Sequence, residues 1–399
     1  MKTNKIAMRV FLLIAAFLLL LFFSNDFGLI DIQKTSIITA IGIDKGEEGM
    51  LDVTAQIAVP EAGGNGTAGN VSVKGARTVG EAIAELNLKT GWYPTLVHCR
   101  LILLGAEATE TDVFRSLDYF LRSQFVEDSC LVAVCAERAE DALGAQSPVG
   151  DMTYAAIEKV LSSEAQKTGL VSVNNLREFS KGYYSAGKSS FLPVLTLKKD
   201  AQGENENGSS SKSDTQGGAA QQSGSAGSDV FDASSTMLFR NGQQAGILDA
   251  EETLAFNLAD TATDFAYGNV SVFENGENVT YNLKIKITKK SRKISDENGI
   301  PVLHFIIRAR AQVADASQAG TTQEVAQSSV VPEHVLRTAQ ERMRIRLDAA
   351  FKKAQDCGCD LFRISQSLQR FYPSLLNTLG ENALSSAKAD FDIRFDTLR

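Results

Sequence analysis

Residues 281–289, Tyr-Asn-Leu-Lys-Ile-Lys-Ile-Thr-Lys, alternate apolar and polar side chains along their whole length. Tyr281, Leu283, Ile285 and Ile287 are two residues apart, and this period is typical of a β-strand with one face on a core and one face in water. Antiparallel sheets have this half-solvated character, whereas strands of fully covered parallel sheets are apolar on both faces. The stretch therefore predicts an antiparallel sheet in the C-terminal half of the chain.

The patterns around this stretch follow each other in runs. Strands are predicted at residues 270–273 and 302–313, and a long amphipathic helix is predicted at 332–356. Upstream, Asn241-Gly242 between two short apolar runs predicts a hairpin, and Asp249 predicts the N-cap of a helix. Runs of strands and helices without sustained alternation indicate an α+β fold, with mixed or antiparallel sheets flanked by helices.

The N-terminal half mixes both kinds of element. A hairpin is predicted at 36–43 and 51–59, and Thr111 is predicted to cap a helix. Further helices are predicted at 79–88, 139–143, 154–163 and 174–179, and strands at 96–104, 131–135 and 191–197.

Residues 200–228 consist mainly of Gly, Ser, Gln, Asn and Ala and contain almost no apolar side chains. Such a composition cannot offset the entropy lost on ordering and predicts a flexible linker. Residues 61–70 and 316–329 have a similar composition and are predicted to be loops. The resulting division is an N-terminal segment 1–30, an α+β domain 31–199, a linker 200–229 and a C-terminal domain 230–399, within which a small unit 230–270 and an α+β unit 271–399 are an open alternative.

An apolar run occupies residues 10–23 after Lys2, Lys5 and Arg9. A basic start followed by a short apolar run is typical of a secretory signal. The run gives roughly 21 Å of helix, or about 27 Å if residues 6–8 are added, against the ~30 Å of a hydrocarbon core. No pair of small residues follows it, so a retained membrane anchor is favoured over a cleaved signal, with the N-terminus in the cytoplasm. The residues assigned to the anchor are Val10, Leu12, Leu13, Phe17, Leu20 and Phe23.

The formal net charge of −8, together with the expectation that the body has no Lys/Arg-rich block, argues against nucleic acid as a partner. The five cysteines lack the spacing of a zinc site and are predicted to be small buried residues rather than a disulfide framework. The three histidines are far apart in the sequence, which argues against a metal site. Because no nucleophile motif is present either, we assign no catalytic, cofactor-binding or metal-binding residue and predict that the chain is not an enzyme.

Residues 182–189, Gly-Tyr-Tyr-Ser-Ala-Gly-Lys-Ser, match the Walker A pattern letter for letter. A functional P-loop follows a strand and opens a helix, whose N-terminal amides hold the phosphates. Here the preceding residues have helical spacing, and the following ones, interrupted by Pro193, are typical of extended chain. We interpret the match as a turn leading into a strand.

Several segments taken together resemble one family. Residues 38–45, Ile-Thr-Ala-Ile-Gly-Ile-Asp-Lys, resemble the opening of the Ger(x)C family, the C subunits of spore germinant receptors. Further similar stretches are Ala-Arg-Thr-Val-Gly-Glu-Ala-Ile-Ala-Glu-Leu at 76–86, His-Cys-Arg-Leu-Ile-Leu-Leu-Gly at 98–105, Leu-Asp-Tyr-Phe-Leu-Arg at 117–122, Met-Leu-Phe-Arg-Asn-Gly-Gln-Gln-Ala-Gly-Ile-Leu-Asp at 237–249, Cys-Asp-Leu-Phe-Arg-Ile-Ser at 359–365 and Phe-Tyr-Pro at 371–373.

The resemblance implies a non-catalytic subunit on the outer face of the inner spore membrane, acting with integral-membrane A- and B-type subunits in nutrient-triggered germination. It implies that a nutrient germinant is bound by the complex rather than by this chain alone. The alternative is an exported, membrane-anchored solute-binding or envelope scaffold protein. The family is typically lipid-modified at a cysteine directly after the apolar run, whereas the first cysteine here is Cys99.

Five residues stand at positions of the family pattern, and each also has a structural interpretation. His98 is interpreted as a residue packed in a strand, Arg122 as a charge at a helix end and Gly246 as a glycine in a hairpin. Asp360 is interpreted as a helix cap and Pro373 as a helix stop.

Overall fold

A computed structural model describes residues 11–20, 35–59, 67–145, 152–199, 229–260, 263–274, 276–318 and 329–397. They form a mixed α+β body with two sheets flanked by helices, which confirms the predicted class.

The first sheet has a parallel centre and antiparallel edges. Its order is β3-β2-β1-β5-β6-β7-β8-β9, with β4 beside β1. The pairs β1/β5, β5/β6 and β6/β7 are parallel, whereas the pairs on either side of them are antiparallel. The strands are β1 (Thr35–Lys45), β2 (Leu51–Val59), β3 (Thr67–Ala76), β4 (Tyr93–Thr95), β5 (Leu101–Gly105), β6 (Leu131–Cys135), β7 (Ser189–Lys199), β8 (Asp229–Arg240) and β9 (Gln243–Leu248).

Helices cover this sheet on both faces. Leu101 and Leu103 of β5 belong to the apolar cluster on one face, whereas Ile102 and Leu104 belong to the cluster on the other. All four side chains are buried, which explains the uninterrupted apolar run of this strand. The helices are α1 (Val79–Thr90), α2 (Phe114–Arg122), α3 (Ala139–Gly144), α4 (Thr153–Val160), α5 (Ser163–Lys167) and α6 (Leu176–Tyr183).

The second sheet has the order β10-β11-β12-β13, in which only the pair β12/β13 is parallel. Its elements are α7 (Ala250–Asp260), β10 (Phe265–Glu274), β11 (Glu277–Glu297), β12 (Ile300–Gln318), α8 (Glu333–Asp356), α9 (Ile364–Phe371), α10 (Pro373–Leu379) and β13 (Lys388–Thr397). The apolar stripe of α8, including Val335, Leu347 and Phe351, joins Leu283, Phe305 and other inward residues of the sheet in one cluster.

Two predicted helix ends are confirmed in detail. Asp249 Oδ1 accepts hydrogen bonds from the backbone N–H groups of Glu251 (2.9 Å) and Glu252 (2.8 Å), and Glu252 Oε2 accepts one from the Asp249 N–H (2.9 Å). This reciprocal arrangement is a capping box. Gly358 follows α8 with φ of 67°, a left-handed conformation that glycine adopts without a steric penalty.

Other predicted boundaries are wrong. Thr111 does not cap α2; Asp112 Oδ1 accepts from the Phe114 N–H instead (3.0 Å). The strand predicted at 96–104 begins only at Leu101, because the Cys99 N–H bonds to the Leu96 carbonyl in a turn (3.0 Å). The loop predicted at 61–70 overlaps β3, which pairs with β2, and the one at 316–329 overlaps the end of β12.

The hairpin predicted at Asn241-Gly242 is present, but it belongs to the first sheet. Its strand β8 pairs with β7, from Ser189 opposite Arg240 to Lys199 opposite Asp229. The C-terminal domain predicted at 230–399 begins with β8 and β9. The pairing with β7 places both of these strands in the first sheet, together with strands from the N-terminal half. The parallel centre likewise forms through crossovers that the sequence reasoning did not recognise as a βαβ pattern.

Candidate functional site

A cleft of about 320 Å³ lies where α6 and β7, a strand of the first sheet, meet the segment between α8 and α9. Its lining includes Asn174, Lys181, Ser189, Asp360 and Arg363. Here the family-pattern residues 359–365 meet β7, the strand that follows the Walker-like turn. We therefore take this junction as the candidate functional site.

Asp360 is the buried acidic residue of the cleft lining, with 6% of its surface exposed. Its carboxylate accepts the backbone N–H groups of Ile364 (2.6 Å) and Ser365 (2.7 Å), the first residues of α9. Burial raises the pKa of the Asp360 carboxyl, and these two hydrogen bonds oppose the rise. The predicted role as a helix cap is confirmed, and each carboxylate oxygen accepts one backbone hydrogen bond.

Backbone hydrogen bonds also link the segment between α8 and α9 to the start of β7 in the first sheet. The Asp360 N–H donates to Ser189 Oγ (2.8 Å), and that hydroxyl donates to the Gly187 carbonyl (2.6 Å). A Cβ at Gly187 would lie 2.6 Å from the Asp360 carboxylate, so only glycine allows this approach. The second glycine of the Walker-like sequence, Gly187, is thus explained by packing against Asp360.

The Walker-like sequence itself has the wrong order of elements for phosphate binding. Helix α6 precedes it and strand β7 follows it, the reverse of the strand and helix that a P-loop requires. Lys188 has φ of 45° and its N–H bonds to the Ser185 carbonyl (3.0 Å), which closes a turn. The interpretation as a turn leading into a strand is confirmed.

The residues on either side of Asp360 anchor it to both cores. Cys359 Sγ lies 3.4 Å from the Phe239 carbonyl of β8 and 3.7 Å from the Ser190 carbonyl of β7. The Phe362 ring packs against Phe256 and Phe305, with centroids 5.7 and 5.5 Å away. Arg363 takes the left-handed conformation (φ 56°), an uncommon backbone for a residue with a side chain. Residues 359–363 thus contact strands of both sheets, and these contacts determine their conformation. We call this segment the joint.

The other family-pattern residues lie away from this cleft. Arg122 ends α2 and pairs with Asp118 (2.7 Å), as expected of a charge at a helix end, and Pro373 begins α10 directly after α9. A Cβ on Gly246, in the hairpin strand β9, would lie 3.5 Å from Cys357. The strand-packing interpretation of His98 is wrong, because this residue is exposed in the turn before β5.

In the part of the chain that the structure describes, no group of three or more His, Cys, Asp and Glu side chains is placed to hold a metal ion. His304 contacts Ser295 (2.9 Å) and Asp390 (3.3 Å), and His334 contacts Glu274. All five cysteines are free thiols, and four of them are buried. Burial raises the pKa of Cys135 and Cys359 far above the ordinary thiol value, so these two are unreactive as nucleophiles.

The predicted membrane anchor lies partly outside the described residues. Residues 11–20 form a helix, and Leu12, Leu13, Phe17 and Leu20 expose 58, 70, 62 and 65% of their surface. Val10 and Phe23 are not among the described residues. In the described ranges, none of the helices has both the length and the apolar character needed to cross a membrane.

The expectation that the body contains no Lys/Arg-rich block is wrong. Six of the ten residues from Lys284 to Lys293 are basic, and no acidic residue occurs between 278 and 295. A count of charge in a short window would have found this run. It occupies the middle of β11, on the sheet whose alternation predicted the fold.

Comparisons with known proteins agree with the resemblance. A family model described as the spore germination protein N-terminal domain matches residues 29–197, and one described as spore germination B3/GerAC-like, C-terminal, matches residues 234–398. The crystal structure of the GerBC protein is similar in fold, with a TM-score of 0.51 at 15% identity, over 90% of this chain and 97% of that one. No curated protein matches significantly. Because the two domain models match in order over most of the chain, the protein belongs to the GerAC-like family of spore germination proteins.

Proposed function

We propose that the chain is a non-catalytic C-type subunit of a spore germinant receptor, needed for assembly and signalling in nutrient-triggered germination. The observation that carries this proposal is the ordered match of both family domains. The similarity to GerBC supports the same fold over almost the whole length. In this proposal the chain acts with integral-membrane A- and B-type subunits, and the complex as a whole binds the germinant.

The proposed location is the outer face of the inner spore membrane, with the N-terminus in the cytoplasm. Three observations support a tether: the basic start, the apolar run at 10–23 and the exposed apolar side chains of the helix at 11–20. The helix proposed as the tether takes the place of the lipid-modified cysteine that is typical of the family.

A non-catalytic role is supported by the junction. Asp360 is engaged by two backbone amides, and both glycines of the Walker-like sequence, Gly182 and Gly187, lie where a Cβ would clash with neighbouring atoms. The joint at 359–363 is suited to transmit a conformational change from one sheet to the other, because its own conformation depends on contacts with both sheets.

Complementation of a deletion in the spore-forming host tests the proposal. We expect the deletion to abolish germination on at least one nutrient, and both the wild-type chain and Lys188→Ala to restore it. Leu13→Asp/Phe17→Asp, which makes the tether polar, is expected not to restore it. If the deletion leaves every nutrient response intact, the receptor role is wrong. If Lys188→Ala accumulates normally yet fails to restore germination, the non-catalytic interpretation of the turn is wrong.

A further inference from the structure

The outer face of the second sheet carries a row of basic side chains. α8 packs against the other face of this sheet, which leaves the β11 residues Lys286, Lys289 and Lys293 exposed. Lys284, on the same face, lies with its ammonium group 5.8 and 5.9 Å from the ring centroids of Phe265 and Tyr267 on β10. At about 3.3 Å per residue the row extends over roughly 30 Å. We call these four lysines the basic row.

A β-bulge assembles the basic row. Lys286 stands opposite Arg310, and Ile287 stands opposite Ala309, but the next pair is Lys289 opposite Arg308. The extra residue, Thr288, shifts the alternation, so that Lys289 and Lys293 point to the same side as Lys284 and Lys286. Without it, Lys289 and Lys293 would point toward the core, so the irregularity gathers positive charge on one face.

The basic row is not neutralised within the described part of the chain. Lys286, Lys289 and Lys293 form no ion pair there, and two of them stand directly opposite an arginine. Like charges in directly opposite positions destabilise an antiparallel pair. On the edge strand β13 of this face, Arg308 engages Asp392 (2.5 Å) and His304 contacts Asp390 (3.3 Å). The other carboxylates of the face lie beyond the two ends of the row, at Asp315 opposite Asn282 and at Glu297, 3.4 Å from His304. Repulsion of this kind is relieved when an anionic surface covers the row.

We propose that the basic row docks on the anionic headgroups of a lipid bilayer, as a second membrane contact besides the N-terminal segment. The proposal deepens the proposed function and rests on its membrane location. A row of exposed ammonium groups fits a dispersed field of phosphates better than a single ligand, because a lysine ammonium is a point charge and has no planar fork of donors. Exposed aromatic side chains, Tyr267 and Phe273, lie on the neighbouring strand of the same face, and such residues suit a lipid interface.

The chain near the tether places the body close to the bilayer. Residues 24–34 separate the apolar run from β1 and can span at most about 40 Å even when fully extended. The apolar run itself is shorter than a hydrocarbon core. A short tether and an electrostatic contact together hold a protein more firmly than either does alone, because the second contact becomes intramolecular.

Vesicle sedimentation of the full chain tests the proposal. In Leu13→Asp/Phe17→Asp the tether is polar, so any binding reports on the body. We expect this variant to bind vesicles that contain phosphatidylglycerol, not vesicles of phosphatidylcholine alone, and to dissociate near 1 M salt, where the Debye length falls to about 3 Å. Adding Lys286→Glu, Lys289→Glu and Lys293→Glu should lower the partition coefficient about 100-fold or more, since each lysine contributes about fivefold.

Matched controls separate this from loss of folding. Arg337→Glu, Arg344→Glu and Lys352→Glu make the same charge change on the exposed side of α8 and should leave vesicle binding within about twofold of the parent. The proposal is overturned if the row variant binds as well as its parent, or if binding is equal on neutral vesicles. Binding to poly-L-glutamate but to no vesicle would also overturn it and would indicate an acidic protein partner. Retention of the wild-type tether in vesicles after alkaline washing reports separately on the proposed anchor.

Discussion

The two sheets of this protein bury their side chains in different ways. β5 in the first sheet sends Ile102 and Leu103 into cores on opposite faces, and its whole sequence is apolar. β11 in the second sheet buries Leu283 against α8 and turns Lys284 outward. The first sheet is therefore covered on both faces, whereas the second sheet has one face exposed to solvent. The difference indicates where substitutions act on stability and where they act on interactions.

The largest expected effect tests this difference with adjacent residues. Ile102→Ala and Leu103→Ala should each lower the free energy of unfolding by about 2–5 kcal/mol, because each leaves a cavity in a packed core. Leu283→Ala should do the same, but its neighbour Lys284→Ala should change it by less than about 1 kcal/mol. Urea denaturation followed by circular dichroism measures all four. A small effect of Leu103→Ala would contradict the picture of a sheet covered on both faces.

The next effect concerns the joint between the sheets. Asp360→Ala should lower the free energy of unfolding by roughly 2–4 kcal/mol, because the buried N–H of Ile364 and the partly buried N–H of Ser365 lose their acceptor. Asp249→Ala removes the cap of α7 at a more exposed position and should lower it by about 1 kcal/mol. Denaturation of the two variants side by side provides the measurement. Equal losses would show that burial at the junction adds nothing.

A smaller effect distinguishes the sheets by pH. Burial raises the pKa of Asp44 above its ordinary value of 3.8, although the N–H groups of Ala139 and Glu140 oppose this. The folded state thus binds more protons than the unfolded chain above that value, and stability relative to Asp44→Asn falls as the pH rises from about 3.8. The Arg308 guanidinium lowers the pKa of Asp392 on the open sheet. Its contribution is therefore present above pH 3.8 and is lost as the pH falls below it.

Thermal melts from pH 3 to 7 measure both dependences against the matching Asn variants. The sign for Asp44→Asn should be opposite to the sign for Asp392→Asn. The same sign for both would show that the two carboxylates have similar environments.

The smallest effect is a gain in stability. Lys286→Glu places a carboxylate opposite Arg310 and should raise the free energy of unfolding by up to about 1 kcal/mol, since a like-charge pair becomes an opposite-charge pair. The gain should shrink in high salt, whereas Lys352→Glu on α8 should give no such gain. Differential scanning calorimetry at two salt concentrations is the measurement. A loss of stability would mean that Lys286 has a structural role in the fold.

Local patterns predicted the elements whose own side chains determine them. The alternation in β11, the apolar run of β6 and the capping box at Asp249 could be predicted from short windows of sequence. β3 was missed because its sequence is rich in small and polar residues, and pairing with β2 makes it a strand. The pairing of β8 with β7 joins residues on either side of the 200–228 segment, and no local pattern encodes such a contact.

The junction could be predicted only in part. The sequence identified Asp360 as a helix cap and rejected the P-loop, but it could not show that Gly187 and Asp360 touch, because they are far apart in the chain. The basic row could have been found by a local charge count. Its position on one face depends on the bulge at Thr288, which alternation alone does not reveal.

Isolation of the full-length chain from spore membranes tests the central claim most directly. We expect the chain to stay with the membrane after alkaline washing and, after mild solubilisation, to copurify with integral-membrane subunits of the A and B type. Leu13→Asp/Phe17→Asp should be released by the same wash. Recovery of the wild-type chain in the soluble fraction, or its purification from the membrane without either subunit, would contradict a membrane-tethered receptor subunit.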